Sequence, residues 1–241
     1  MVKESLIERA MNNFFLTIVA ALTLFSCSEE QNRKGNLKFP NKLEVNSVEQ
    51  FAISKWLTND DNNWEVKKEN GEFRLNLLHK GEFGAIRKPS SFAVLKDLDI
   101  TDFELTLEAK SLVDSTIKGR DVIVYFAFQD SLHFYYVHVS NENHKYHNII
   151  GVVNGSDRLP ITTKLEEDSK ARLHGYEWHK IKIVRKIESG SVKVYVDDMD
   201  KPIHDIQDKT LMHGSVGVGS FDDYGSFRNI KLMYNSDKKK K

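Results

Sequence analysis

From Asn63 onward the chain alternates short apolar or β-branched runs with glycine and polar turns, and almost nowhere shows a helical repeat. Ten runs are predicted as strands: 63–68, 72–78, 102–109, 122–128, 133–139, 148–153, 178–187, 191–196, 215–221 and 226–233. A turn is predicted around Ser47 to Trp56. In Phe103-Glu104-Leu105-Thr106-Leu107-Glu108-Ala109 the apolar positions are every second one, so one face packs inward and the other meets water. Val192, Val194 and Val196 repeat the pattern. The runs 122–128 and 133–139 are apolar or aromatic on both faces, which implies a covered second side or a groove that binds something. Many strands without repeats or crossover helices predict an all-β antiparallel sandwich, a jelly roll.

The N-terminal part follows a different pattern. Phe14 to Phe25 (FFLTIVAALTLF) is apolar but shorter than the roughly 20 residues a membrane-crossing helix needs, and fits the core of a signal peptide. Lys3 and Arg9 precede it together with Glu4 and Glu8, which leaves Met11 as an alternative start to Met1. The division expected is a signal peptide over 1–26, an acylated Cys27 and flexible tether over 27–44, a sandwich over 45–235, and a lysine-rich tail over 236–241.

Composition narrows the chemistry. The chain has 241 residues with 35 basic and 35 acidic side chains, so it carries no electrostatic footprint for a nucleic-acid partner. The one cysteine excludes a disulfide framework and cysteine-based zinc clusters. Four of the nine histidines fall between His133 and His147, beside Tyr135, Tyr136, Tyr146 and Asn148, with Asn154 and Arg158 shortly after. Tyr136 and His138 share one face of their strand. On a concave sheet that face could stack a sugar on the ring while imidazole, amide and guanidinium bind its hydroxyls or carboxylate. The same groups could catalyse a lyase-type elimination. A histidine takes the proton α to a carboxyl, a tyrosine protonates the leaving oxygen, and an arginine or asparagine neutralises the carboxylate.

The expected site is therefore Tyr136, His138, His147 and Arg158 as catalytic groups, with Asn148 and Asn154 as substrate-binding ones; the alternative is that the histidines fill space. His179, in phase with Ile181 and Ile183, reads as a core residue. Asp222 and Asp223, and separately Asp197, Asp198 and Asp200, offer oxygens of the kind calcium prefers.

Two resemblances add to this. Leu24-Phe25-Ser26-Cys27 resembles a bacterial lipobox, which implies lipidation of Cys27 and a place in the bacterial cell envelope, at the outer membrane or cell surface, with a lipid anchor as the membrane contact. The run 177–185, the strand 190–197, and the segments 214–221 and 227–230 resemble laminin G-like and concanavalin A-like domains. These include the 3-keto-disaccharide hydrolase and family 16 glycoside-hydrolase-like types. That resemblance implies the concanavalin A-like jelly roll, a carbohydrate partner and, in some relatives, a structural calcium ion. It leaves hydrolase, lyase and non-catalytic module open. Against the family 16 pattern of alternating carboxylates, Glu104 and Glu108 have the spacing, but Thr106 stands where an aspartate is required.

Overall fold

A computed structural model describes residues 39–236. Strands β1 to β5 are Asn41–Val45, Trp56–Thr58, Trp64–Glu69, Glu72–Leu77 and Ser91–Leu95. Strands β6 to β10 are Phe103–Ser111, Asp121–Asp130, His133–Ser140, Ile149–Asn154 and Leu159–Pro160. Strands β11 to β15 are His179–Lys186, Ser191–Val196, His204–Gln207, Ser215–Ser220 and Gly225–Tyr234. All ten predicted strands are present. The turn before β2 is a four-residue helix α1, Val48–Phe51, capped reciprocally by Ser47 and Gln50 and followed by a 3-10 turn.

The strands form two antiparallel sheets among the described residues. One runs β13-β12-β11-β6-β15-β4-β3, with β1 also paired to β15; the other runs β10-β9-β8-β7-β14-β5-β2. Between them lies the main core, to which β6 gives Leu105 and Leu107, β11 gives Ile181 and Ile183, and β7 and β8 give Val122, Val124, Val137 and Val139. The alternation read in β6 is the alternation observed, buried at every odd residue and half-exposed at every even one.

The expected boundaries and candidates shift in three places. The end of the expected tether is ordered: Asn41 to Glu44 belong to β1 and pair with β15, although this strand's polar sequence carries no strand signal. Cys27, the apolar run before it and the lysines after residue 236 lie outside the described residues. Glu104, Thr106 and Glu108 sit on the outer face of the eight-stranded sheet, where Glu108 accepts from Arg228 Nε at 2.7 Å, so the pattern is a solvated ion-pair face. Asp198 Oδ1 accepts the amides of Asp200 and Lys201, and Asp197 accepts from His179 and the Lys180 amide; these carboxylates serve their own turns. His179 is a core histidine as expected: its Nδ1 donates to Asp197 at 2.8 Å and its Nε2 accepts the His174 amide at 2.9 Å. No helix among the described residues is long and apolar enough to cross a membrane.

The second face of the seven-stranded sheet is where β7 and β8 proved apolar twice over. Phe92, Val94, Ile123, Tyr125, Phe128, Phe134, Tyr136 and Val153 form a separate buried cluster there. Glycines in β14 and β9 make room for its rings: a Cβ on Gly151 would stand 2.3 Å from Tyr136 Cζ. The face is sealed along most of its length, and polar groups gather at one end.

Candidate functional site

Antiparallel pairing brings the start of β7 and the ends of β8 and β14 together, because Asp121 lies opposite Ser140 and Ile123 opposite Gly219. Asp121, only 1% exposed, organises this end. Its Oδ1 accepts Ser220 Oγ at 2.7 Å and the Phe221 amide at 2.9 Å. Its own amide donates to Asp223 Oδ2 at 2.9 Å, and the Asp223 amide donates to Ser220 Oγ at 2.9 Å. This ring of bonds fixes the turn that carries Asp222 and Asp223. One carboxylate oxygen from each of Asp121, Asp222 and Asp223 lies within 4.8 Å of the others, a donor set able to hold a cation.

His138 comes from the neighbouring strand and is also 1% exposed. Its Nδ1 donates to the Tyr146 carbonyl, which fixes the tautomer, and its Nε2 stands 3.2 Å from Asp121 Oδ2. His147 packs edge-on against it, with ring centroids 4.9 Å apart, and is partly open to solvent. Arg158 reaches across from the start of β10, its guanidinium 4.1 Å from the Phe221 ring centroid and 4.6 Å from that of Tyr146. Arg87 lies over the same Phe221 ring at 4.6 Å, with Nη2 4.0 Å from Asp222 Oδ2. Its loop is held there by the Arg87 amide donating to Asp157 and the Arg158 amide donating to the Arg87 carbonyl.

Burial sets the protonation states. It pushes His147 down to about 4, helped by the neighbouring charges of His138 and His144, so the imidazole is neutral at pH 7. Burial raises the Asp223 carboxyl to about 6, with the Asp121 charge adding to it, and raises Asp222 for the same two reasons. Burial alone would raise Asp121, but His138, the Phe221 amide and the Ser220 hydroxyl outweigh it and hold that carboxyl below its usual value. Tyr136 is pushed up to about 12 by burial, partly offset by Arg158, so its phenol keeps its proton.

The structure thus brings together Tyr136, His138, His147 and Arg158 with the Asp222–Asp223 pair, which the sequence offered as separate candidates. It corrects four of the expected roles. Tyr136, fully buried, and His138 do not line an open trough: the Tyr136 ring lies over Gly151 and the rest of its face is covered. Asn148 is buried with φ +50°, its side chain tying the Ser140 amide, the Glu142 carbonyl and Asn143 into the loop, so it shapes the site without facing a ligand. Asn154 is exposed at the far end of β9, opposite His133 and in phase with the inward-facing Ile150 and Val152, and does not belong to the site. The groups left at the open rim are His147, Arg158, Arg87, Asp222 and Asp223. Sequence reading missed Asp121, Arg87 and Phe221. The available signal for Asp121 was a lone carboxylate heading a run of seven buried apolar residues.

Over residues 52–233 the sequence matches the 3-keto-alpha-glucoside-1,2-lyase-like domain. The chain belongs to that family. No protein of curated function matches it by sequence. Among solved structures, the carbohydrate binding module CBM66 from Bacillus subtilis superposes with a TM-score of 0.51 at 15% identity, covering 73% of this chain and 94% of that one. A putative glycosyl hydrolase from Parabacteroides distasonis is similar at a TM-score of 0.46 and 16% identity, covering 76% of this chain and 99% of that one. Family and fold agree with the concanavalin A-like sandwich expected from the sequence.

Proposed function

We propose that the rim formed by His147, Arg158 and the Asp222–Asp223 turn binds a glycoside oxidised at C3 and cleaves it by elimination across C1 and C2. A ketone at C3 acidifies the C2 hydrogen, which is what makes an elimination accessible to a base as weak as imidazole. His147 takes the C2 proton and the electron pair becomes the C1–C2 double bond. The C1–O bond breaks, the leaving oxygen takes a proton from water at the rim, and the sugar departs as a conjugated enone. Arg158 steadies the negative charge that builds on the C3 oxygen. Asp121 and His138, too buried to touch a sugar, position the turn and the His147 ring. The observation that carries this reading is that a partly open imidazole, a guanidinium and carboxyl groups converge on one rim in a member of this family.

Incubation of the full chain with a 3-keto-α-glucoside is expected to release the aglycone together with the ultraviolet absorbance of an enone. His147→Ala is expected to lower that rate by about a hundredfold or more while leaving the melting temperature nearly unchanged. Aglycone release without an enone would replace elimination by hydrolysis. The sealing of Tyr136 and His138 favours one second reading, a module that binds sugar without turnover; retention on a glycan affinity gel with no product would decide for it.

We further propose that the domain is exported and held at the bacterial envelope by lipid on Cys27, because the chain's one thiol directly follows its apolar N-terminal run. Metabolic labelling with a fatty-acid analogue is expected to tag the protein, and Cys27→Ser to abolish the tag. Equal labelling of the two would refute the anchor.

A further inference from the structure

We propose that the outer face of the eight-stranded sheet is a second carbohydrate site, which holds a polyuronate chain with Trp178 as stacking platform and Lys110, Lys180, Lys182 and Lys231 as partners for its carboxylates. The rim on the other sheet takes no part in it. Alternation puts Trp178, one residue before β11, in phase with the outward Lys180 and Lys182, while His179, Ile181 and Ile183 point into the core. Across the sheet Lys182 lies opposite Thr106, and Thr106 lies opposite Lys231, so two ammonium groups flank one small residue. Tyr195 stands opposite Lys182 on β12, its ring centroid 3.9 Å from that ammonium.

The decisive residue is Trp178. Trp56 and Trp64 are 1% and 6% exposed, whereas Trp178 stays partly open on a polar face. Cations from three strands meet its ring: the Arg228 guanidinium at 4.2 Å from the centroid, the Lys110 ammonium at 5.0 Å and the Arg74 guanidinium at 5.6 Å. A ring held in this way loses little side-chain freedom when a sugar stacks on the part left open.

The positive charge around the ring is not fully balanced. Glu69 pairs with Arg74, and Glu72 and Glu108 pair with Arg228; none of them forms an ion pair with Lys110, Lys180 or Lys231 among the described residues. Arg74 is only 8% exposed, and its Nε has no hydrogen-bond partner among the described residues. Burial, with the Arg74 charge close by, holds the Lys110 ammonium below its ordinary value. This patch stands on a domain that carries 26 basic and 30 acidic side chains over residues 39–236, so it is positive against the net charge. An aromatic platform among uncompensated cations is complementary to a sugar that bears a carboxylate. Glu104 and Glu108 lie among the lysines on the same face, which suits one charge per sugar and opposes a densely sulfated chain.

The test uses the full chain with tetragalacturonate and tetramannuronate. Neither carries a ketone at C3, so failure here is separate from failure of the glycoside reading. At least one is expected to bind saturably by calorimetry, to change the tryptophan fluorescence, and to bind more weakly as salt is raised. Trp178→Ala is expected to weaken binding about tenfold, and Trp178→Phe much less. Lys110→Gln and Lys182→Gln, checked for folding by circular dichroism, are each expected to weaken binding severalfold and to flatten its salt dependence. No binding of either uronate, or binding that Trp178→Ala and the lysine variants leave unaltered, would overturn the site. Equal binding of maltotetraose would overturn the need for a carboxylate, and equal binding of polyglutamate would overturn the stacked sugar.

Discussion

Replacing Asp121 with alanine is expected to destabilise the fold by about 3–5 kcal/mol, the cost of removing one partner from a buried charged network. The carboxylate accepts from Ser220 Oγ and the Phe221 amide, and faces His138. Without it, two buried donors lose their acceptor and the imidazole loses its counter-charge, at about 1–3 kcal/mol for each unsatisfied group. In a domain of this size that lowers the melting temperature by roughly ten degrees. Asp121→Asn keeps an oxygen for Ser220 and Phe221 and is expected to be much milder. Thermal unfolding of the two variants separates the hydrogen-bonding role from the charge. An alanine variant as stable as the parent would show that the turn is held by something else.

Gly219 in β14 is expected to be nearly as sensitive for a different reason. A Cβ there would stand 2.0 Å from the Ser91 carbonyl oxygen of the paired strand β5 and 2.9 Å from the Tyr125 ring. Flexible side chains can yield to such an overlap, but a paired backbone cannot, so Gly219→Ala must part β14 from β5 or displace Tyr125, whose hydroxyl donates to the same Ser91 carbonyl. The expected loss is about 2–3 kcal/mol, the upper part of the range for overpacking. Gly84 has nothing within 4 Å of its would-be Cβ, and Gly84→Ala is expected to stay within about 0.5 kcal/mol of the parent. Denaturant unfolding of the pair checks the contrast.

The fold was legible in the sequence wherever one sheet face meets water, because alternation in β6 and β12 records which side is buried. It was illegible where that contrast vanishes. Ser91 to Leu95 is buried at every residue and too short to distinguish a strand from any other apolar run, and Asn41 to Val45 is a mostly polar strand whose place is set by pairing with β15.

The site was legible only in part. Histidines crowded within one stretch of sequence pointed to β8 and the loop after it. Asp121 binds residues about a hundred positions away, a distance only the folded topology closes. Aromatic residues on both faces of β7 and β8 fit either an open groove or a second sealed core. The sequence could not choose between them, since the burial of that face depends on packing among strands far apart in the chain. The structure seals Tyr136 and His138 and leaves His147 and Arg158 at the open rim.

The central claim is tested most directly by following deuterium at C2 of a 3-keto-α-glucoside incubated with the protein. If His147 removes that hydrogen, the label is lost to water in step with appearance of the enone, and the rate falls when deuterium replaces hydrogen. Aglycone released from a sugar that keeps its full C2 label, or a substrate left unbound and intact, would contradict the account.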